Sequence, residues 1–256
     1  MKIRYLIAVI LVAFCFYADA AQAMTAQELL QKVEDRYTGK TSRADSMMIL
    51  KGEGMATRRR KMGVFRRKDD NVNRANFIHF FSPADIRNTT YLVLEKDHKK
   101  KKWIYLSSFR KRRKIVGKDY GVAFVSSDFT YEDMDPIHAN DYVASDLKEE
   151  KLGDTDVYSI VIRKKDDETS YDRVELKIDK EKLVILKSLM YDKNNPEKLV
   201  KVMTAENLEK IQDIWTPMKV TMKDLEGNTE TTLETKRIKY DLDLPANTFT
   251  KRNMEK

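Results

Sequence analysis

Cysteine is all but missing from this 256-residue chain, which has one, at position 15. A disulfide framework is therefore excluded. Histidine is nearly as scarce, and His79, His98 and His138 have no second His two to four residues away, so a zinc-finger site is excluded too. Eight glycines and five prolines are too few for a collagen-like or linker-rich chain. There is no Gly-x-Ser-x-Gly elbow, phosphate loop or His-Glu-x-x-His helix. Without these signatures the chain is read as a non-enzyme with no cofactor and no metal. What it does have is 41% hydrophobic residues, enough for a core, and 35% charged ones. Lys plus Arg outnumber Asp plus Glu by 49 to 41, a net charge of +8.

The N-terminus reads as a secretory signal peptide. Lys2 and Arg4 form a short basic region, and Leu6 to Tyr17 is an unbroken apolar run of twelve residues. A membrane-spanning helix needs roughly 20. Two small-x-small sites follow, Ala18-Asp19-Ala20 and Ala21-Gln22-Ala23, and cleavage is expected after Ala23. Cys15 lies inside the apolar run behind the bulky Phe14, so it leaves with the signal rather than serving as a lipidation site. The expected division is a signal at 1–23 and one exported, soluble domain at 24–256. Taking away Lys2, Arg4 and Asp19 brings the net charge to +7.

One strong helix is legible, and it comes first. Thr25-Ala26-Gln27-Glu28 fits a capping box, Leu29, Leu30, Val33 and Tyr37 follow at helical spacing, and Gly39 is a plausible stop. From about Arg43 the period becomes two. Val174, Leu176 and Ile178 alternate with Arg173, Glu175 and Lys177, and Met218, Val220 and Met222 alternate with Lys219, Thr221 and Lys223. Similar runs cover about 44–53, 56–67, 71–81, 89–96, 101–107, 111–117, 138–148, 155–165, 183–192, 197–205 and 229–240. Turn signals separate them, as at Asp192-Lys193-Asn194-Asn195-Pro196 and Glu226-Gly227-Asn228. About a dozen strands with hardly a helix describe a mainly β protein built on one large antiparallel sheet. At that strand count a sheet curls or closes.

Four strands do not alternate. Phe77-Ile78-His79-Phe80-Phe81, Tyr91-Leu92-Val93-Leu94, Trp103-Ile104-Tyr105-Leu106 and Leu183-Val184-Ile185-Leu186 are apolar on both faces. A second layer would explain them, but the chain offers little helix to build one. The alternatives are a curved sheet with an apolar concave cavity suited to an apolar ligand, or a collapsed core with no cavity.

Two kinds of charge cluster stand out. Asp128, Glu132, Asp133 and Asp135 are read as a helix N-terminus, with Asp128 capping and Glu132 favouring the dipole, ahead of a hard-metal site. Arg58-Arg59-Arg60-Lys61, Lys99-Lys100-Lys101-Lys102 and Arg110-Lys111-Arg112-Arg113-Lys114 are basic runs. Export argues against nucleic acid. An anionic membrane surface or an acidic partner would be attracted to Arg110, Lys111, Arg112 and Arg113. Equally, such runs suit a solvated sheet face and turn tips.

Several motifs resemble one known family. They are Phe80-Phe81-Ser82-Pro83-Ala84-Asp85-Ile86-Arg87-Asn88-Thr89-Thr90-Tyr91-Leu92-Val93, Lys102-Trp103-Ile104-Tyr105-Leu106, Arg112-Arg113-Lys114-Ile115 and Ser127-Asp128-Phe129-Thr130-Tyr131-Glu132-Asp133. Their order and spacing resemble the LolA-like outer membrane lipoprotein-sorting proteins of Gram-negative bacteria, firmly over 75–135 and more generally elsewhere. Pro83, Asp85, Asp128, Phe129, Tyr131 and Glu132 are the motif positions. The chain departs from the pattern at Asn88-Thr89 and Ser126-Ser127, where the family has Gly-Thr and Gly-Ser, and at Ser107, where it has Pro. Two turns are thereby expected to differ, with the fold intact.

The resemblance implies an unclosed half-barrel of about eleven strands, with an N-terminal helix and short capping helices over an apolar cavity. It implies a monomeric periplasmic carrier of lipid or lipoprotein acyl chains, in transient contact with the membrane surface. An RND-type inner-membrane transporter or an outer-membrane acceptor is the implied exchange partner. The alternative is a non-catalytic envelope sensor or adaptor of the same fold that binds an acidic protein. For the carrier, flexible Met190, Met218 and Met222 with Val220, Tyr91 and Val93 are expected to line the cavity. Trp103 and Tyr105 are expected to form one wall with a polar tip at the mouth.

Overall fold

A computed structural model describes residues 24–256 except 98, so the expected signal peptide and His98 lie outside the described residues. The helix α1 spans Ala26–Asp35 and opens on the expected capping box. The Glu28 N–H donates to Thr25 Oγ1 at 3.2 Å, and the Thr25 N–H donates to Glu28 Oε2 at 2.7 Å. Arg36 rather than Gly39 ends it.

Thirteen strands follow among the described residues: β1 (Thr41–Gly52), β2 (Arg58–Lys68), β3 (Arg74–Ser82), β4 (Thr90–Lys96), β5 (Lys99–Leu106), β6 (Lys111–Ile115), β7 (Tyr142–Leu152), β8 (Thr155–Lys164), β9 (Tyr171–Asp179), β10 (Ile185–Asp192), β11 (Leu199–Ile211), β12 (Ile214–Asp224) and β13 (Thr229–Tyr240). They form one antiparallel sheet in the order β6-β5-β4-β3-β2-β1-β13-β12-β11-β10-β9-β8-β7. Every neighbour pair is a hairpin except β1–β13, which joins the two halves. β6 and β7 do not pair, so the half-barrel is open. The mainly β, unclosed architecture is the one expected, with two strands more than the resemblance implied.

The sheet curls hard. Laid flat, β5 and β8 would stand roughly 48 Å apart at about 4.8 Å per strand. Instead the Lys102 ammonium on β5 lies 4.0 Å from the Tyr120 ring centre, and the Lys164 ammonium on β8 lies 5.9 Å from the same ring. Alternation sorts each strand into an inner and an outer face. The inner face carries the largest hydrophobic cluster, including Met48, Met62, Ile78, Phe80, Tyr91, Val93, Ile104, Met190 and Met222.

The doubly apolar strands do have a second layer, and it is irregular rather than helical. Residues 117–138, here called the plug, cross the inner face and bury Phe124, Phe129 and Tyr131 against Phe80 and Tyr91. On the outer face the C-terminal tail lays Leu244, Phe249 and Met254 over Phe77, Leu92 and Trp103. α1 covers the inner face of β8 and β9 with Leu29 and Leu30 against Ile160, Ile162, Leu176 and Ile178. Val184 and Leu186 pack outward with Val157, Leu208 and Trp215. The expected empty hollow is thus largely occupied by the chain's own side chains.

Candidate functional site

The inner wall sorts the eight expected lipid-lining residues into three groups. Tyr91, Val93, Met190 and Met222 face inward and are buried in the cluster that the plug covers. Met218 and Val220 face inward and are half-buried. Trp103 and Tyr105 face outward, because their neighbour Ile104 pairs with inward Tyr91 and strand alternation turns them the other way. Trp103 and Tyr105, expected to form one wall of the cavity, thus lie on the sheet face opposite Tyr91, Val93, Met190 and Met222. Trp103 sits beneath the C-terminal tail, with the Lys251 ammonium 4.4 Å from its ring centre.

Beside Met218 and Val220 lies a stripe of half-buried apolar residues: Val64 on β2, Leu233 and Ile238 on β13, Met203 on β11 and Val174 on β9. Register makes it continuous, since Val220 opposes Leu233 and Ala205, and Met222 opposes Met203. Two surface cavities lie elsewhere and are polar. One of about 490 Å³ sits on the outer face among Lys51, Glu206, Lys219, Thr221, Glu230 and Thr232. Another of about 340 Å³ lies between Lys118, Tyr120 and Glu168. Neither touches any of the eight residues.

The plug is fastened by polar contacts. Asp128 does not cap a helix: it accepts from the Thr229 and Thr231 hydroxyls on β13, and its carbonyl accepts from Lys201 Nζ at 2.7 Å. Asp133 accepts from the Tyr171 hydroxyl at 2.9 Å and lies 3.5 Å from Lys201 Nζ. Burial pushes the Tyr171 hydroxyl well above its usual range, and the Asp133 charge adds to this. Glu132 accepts from the Ser170 N–H at 3.0 Å, and burial raises its carboxyl. Phe129 and Tyr131 supply the plug's apolar grip. Pro83 and Asp85 lie in the β3–β4 connection, where the Asp85 carbonyl accepts from Ser108.

Two fastenings come from inside the basic runs, for which an anionic surface, an acidic partner or a solvated face was expected. Alternation sends every second residue inward. Arg60 is buried and donates to the Val125 carbonyl of the plug. Lys102 is 0% exposed and binds Asp135 at 2.7 Å. Burial pulls the Lys102 ammonium down, and Asp135 opposes that pull. Of the expected anionic-surface residues, Arg110 and Lys111 are exposed, Arg112 pairs with Glu255 at 2.5 Å, and Arg113 is exposed beside Tyr131. A third connection was not legible at all. His138, at the end of the plug, lies 2.8 Å from Glu34 of α1 and 2.9 Å from Glu95 of β4. No sequence spacing brings residues 34, 95 and 138 together; only the curl of the sheet does.

An open antiparallel half-barrel with an apolar inner wall, covered by a polar-latched plug, is the fold of the lipoprotein-sorting proteins. Comparison with solved structures agrees on the fold. A domain described as outer membrane lipoprotein-sorting, from Vibrio parahaemolyticus, superposes with a TM-score of 0.85 at 24% identity, over 90% of this chain and 98% of that one. A DUF1329 family protein from Desulfovibrio piger gives 0.84 at 24% identity, over 90% and 97%. A LolA superfamily protein from Nitrosomonas europaea gives 0.70 at 20% identity, over 90% and 100%. No curated protein matches the chain. The model of a family described only as "-like: Uncharacterized protein" matches residues 72–256, so the chain belongs to that family.

Proposed function

We propose that the protein is a non-catalytic periplasmic carrier that shelters the acyl chain of a lipid or lipoprotein against its inner wall. The half-buried stripe through Val64, Leu233, Val220 and Met203 carries this reading. Exposing an acyl chain to water costs about 0.8 kcal/mol per methylene, so roughly fifteen methylenes cost on the order of 12 kcal/mol. A curled apolar wall offsets that cost. Tyr91, Val93, Met190 and Met222 extend the wall once the plug lifts. Because its latches are hydrogen bonds and charge pairs, water replaces them on release. Trp103 and Tyr105 support the wall from behind.

Cleavage after Ala23 delivers residues 24–256 as one monomeric domain. Cargo passes between an RND-type inner-membrane transporter and an outer-membrane acceptor, with transient contact at the membrane surface. The unpaired edge of β6, exposed from Lys111 to Lys114, favours a second reading, an adaptor for an acidic partner. Capture of such a partner by lipid-free protein supports the adaptor.

The test of the carrier is displacement of a fluorescent fatty acid by phospholipid from protein 24–256. Val220→Asp places a charge in the stripe and is expected to weaken binding at least about tenfold. Val202→Asp, facing the outer polar cavity, is expected to leave it unchanged. A folded Val220→Asp protein that binds like wild type removes the stripe from the site.

A further inference from the structure

The inner face of β2 reads Arg60, Met62, Val64, Arg66, Lys68, apolar in the middle and charged at both ends. Arg60 latches the plug, and Lys68 Nζ donates to the Glu34 carbonyl. Arg66 does neither. Among the described residues it makes no ion pair and no hydrogen bond, although its side chain points into the half-barrel. Its register partner on β1 is Ser42, which pairs in turn with Tyr240 on β13. Arg36, at the end of α1, approaches the same place from β12. It donates to the Trp215 carbonyl at 3.0 Å, and the adjacent Thr216 hydroxyl lies 2.7 Å from the Tyr240 hydroxyl. Both guanidinium groups therefore converge on Tyr240.

Nearby carboxylates are engaged elsewhere. Glu34 accepts from His138, Arg74 and the Ala139 N–H, Asp35 from Gln31 and Asn71, and Asp241 from Tyr37 and the Lys40 N–H. Arg66 is exposed and Arg36 half-buried, and protein packed nearby pulls both guanidinium groups down. Two neighbouring guanidinium groups without a counter-ion repel one another, and an arriving anion relieves that repulsion.

We propose that Arg36 and Arg66 bind the anionic head, a carboxylate or a phosphate, of a single-chain amphiphile whose tail lies along the stripe from Val64 towards Met203. The inference rests on the carrier reading and adds the chemistry of the head. From Val64 on β2 to Met203 on β11 the wall crosses four strand spacings, about 19 Å at roughly 4.8 Å each, room for an extended tail. Guanidinium suits both heads, because its fork of donors matches the oxygens of either.

The experiment compares hexadecanoate, hexadecyl phosphate and hexadecanol, three heads on one tail, as displacers of a neutral fluorescent probe from protein 24–256. Both anions are expected to bind at least about tenfold tighter than the alcohol. The tighter of the two identifies the source of the head. Arg66→Gln and Arg36→Gln are expected to abolish most of that preference while leaving hexadecanol binding unchanged. Arg67→Gln, on the outer face beside Asp69, is expected to change nothing. Equal binding of all three heads overturns the head site while keeping the carrier. So does a folded Arg66→Gln protein with the preference intact. Wild-type protein that binds none of the three overturns the carrier reading, and the head site with it. The wild-type comparison needs no variant to fold.

Discussion

His138 holds three parts of the molecule at one point, with Glu34 of α1 at 2.8 Å and Glu95 of β4 at 2.9 Å. Burial alone would lower its pKa, but the two carboxylates outweigh that and raise it above the ordinary 6.5. For Glu34, burial would raise the carboxyl, yet the hydrogen bonds from His138 and the Ala139 N–H bring it below the ordinary 4.5. The signs are opposite. A raised His pKa contributes stability that is complete below the unfolded value and lost as pH rises through the folded one. A lowered Glu pKa contributes stability that is complete above its unfolded value and lost as pH falls. Melting temperature is therefore expected to be highest between pH 4.5 and 6.5 and to decline on both sides. His138→Gln is expected to flatten the alkaline decline, and a melting profile with that decline unchanged would remove His138 from the account. Little at this scale was legible in the sequence. Lys102 looks like the tip of a solvated run, and only the register of β5 shows that it must face inward towards Asp135.

At the scale of elements the strands were legible because each half-buried strand carries its period of two. Their covers were not, because the plug and the tail are irregular and have no period to read. Two turns, one in the β3–β4 connection and one in the plug, show how the fold survives its departures from the family pattern. Asn88 and Ser126, standing where glycine is usual, adopt positive φ of 61° and 58°. Asn tolerates that region, whereas Ser and the adjacent Val125, at 46°, do so at a cost that surrounding contacts must hold. The Arg60 latch on the Val125 carbonyl is one such contact. The tail is the more separable cover. Thr90 donates to the Met254 carbonyl at 2.9 Å, and Phe249 and Met254 shield Trp103. Ending the chain at Leu242 is expected to uncover Phe77, Leu92 and Trp103. The emission of Trp103 should move to longer wavelength, and stability should fall by several kcal/mol, the size expected when a few large side chains lose burial. A truncated protein with unchanged emission would show that the tail is not a cover.

Across the whole molecule, antiparallel order places alternate connections at opposite rims. One rim gathers the β1–β2 hairpin, the β3–β4 and β5–β6 connections and the β12–β13 hairpin. Met55, Phe109 and Leu225 lie in those connections, Phe81 lies at a strand end beside them, and all four are exposed, Phe109 by 72%. Arg58, Arg59, Arg87, Arg110 and Lys111 stand on the same rim, also exposed. The proposed head site at Arg36, Arg66 and Tyr240 lies at the opposite rim. An amphiphile drawn from a membrane head first would then leave its tail pointing back at the membrane. Apolar tips among cations fit an anionic bilayer, where each cation contributes about 1 kcal/mol near the surface. Protein 24–256 is therefore expected to float with vesicles rich in anionic lipid, to ignore zwitterionic ones, and to be released as salt shortens the screening length from about 10 Å at 0.1 M to about 3 Å at 1 M. Phe109→Ser combined with Arg110→Ser and Lys111→Ser should abolish flotation while leaving displacement of the fatty-acid probe intact. Flotation that survives both high salt and the triple substitution would place membrane contact elsewhere on the molecule.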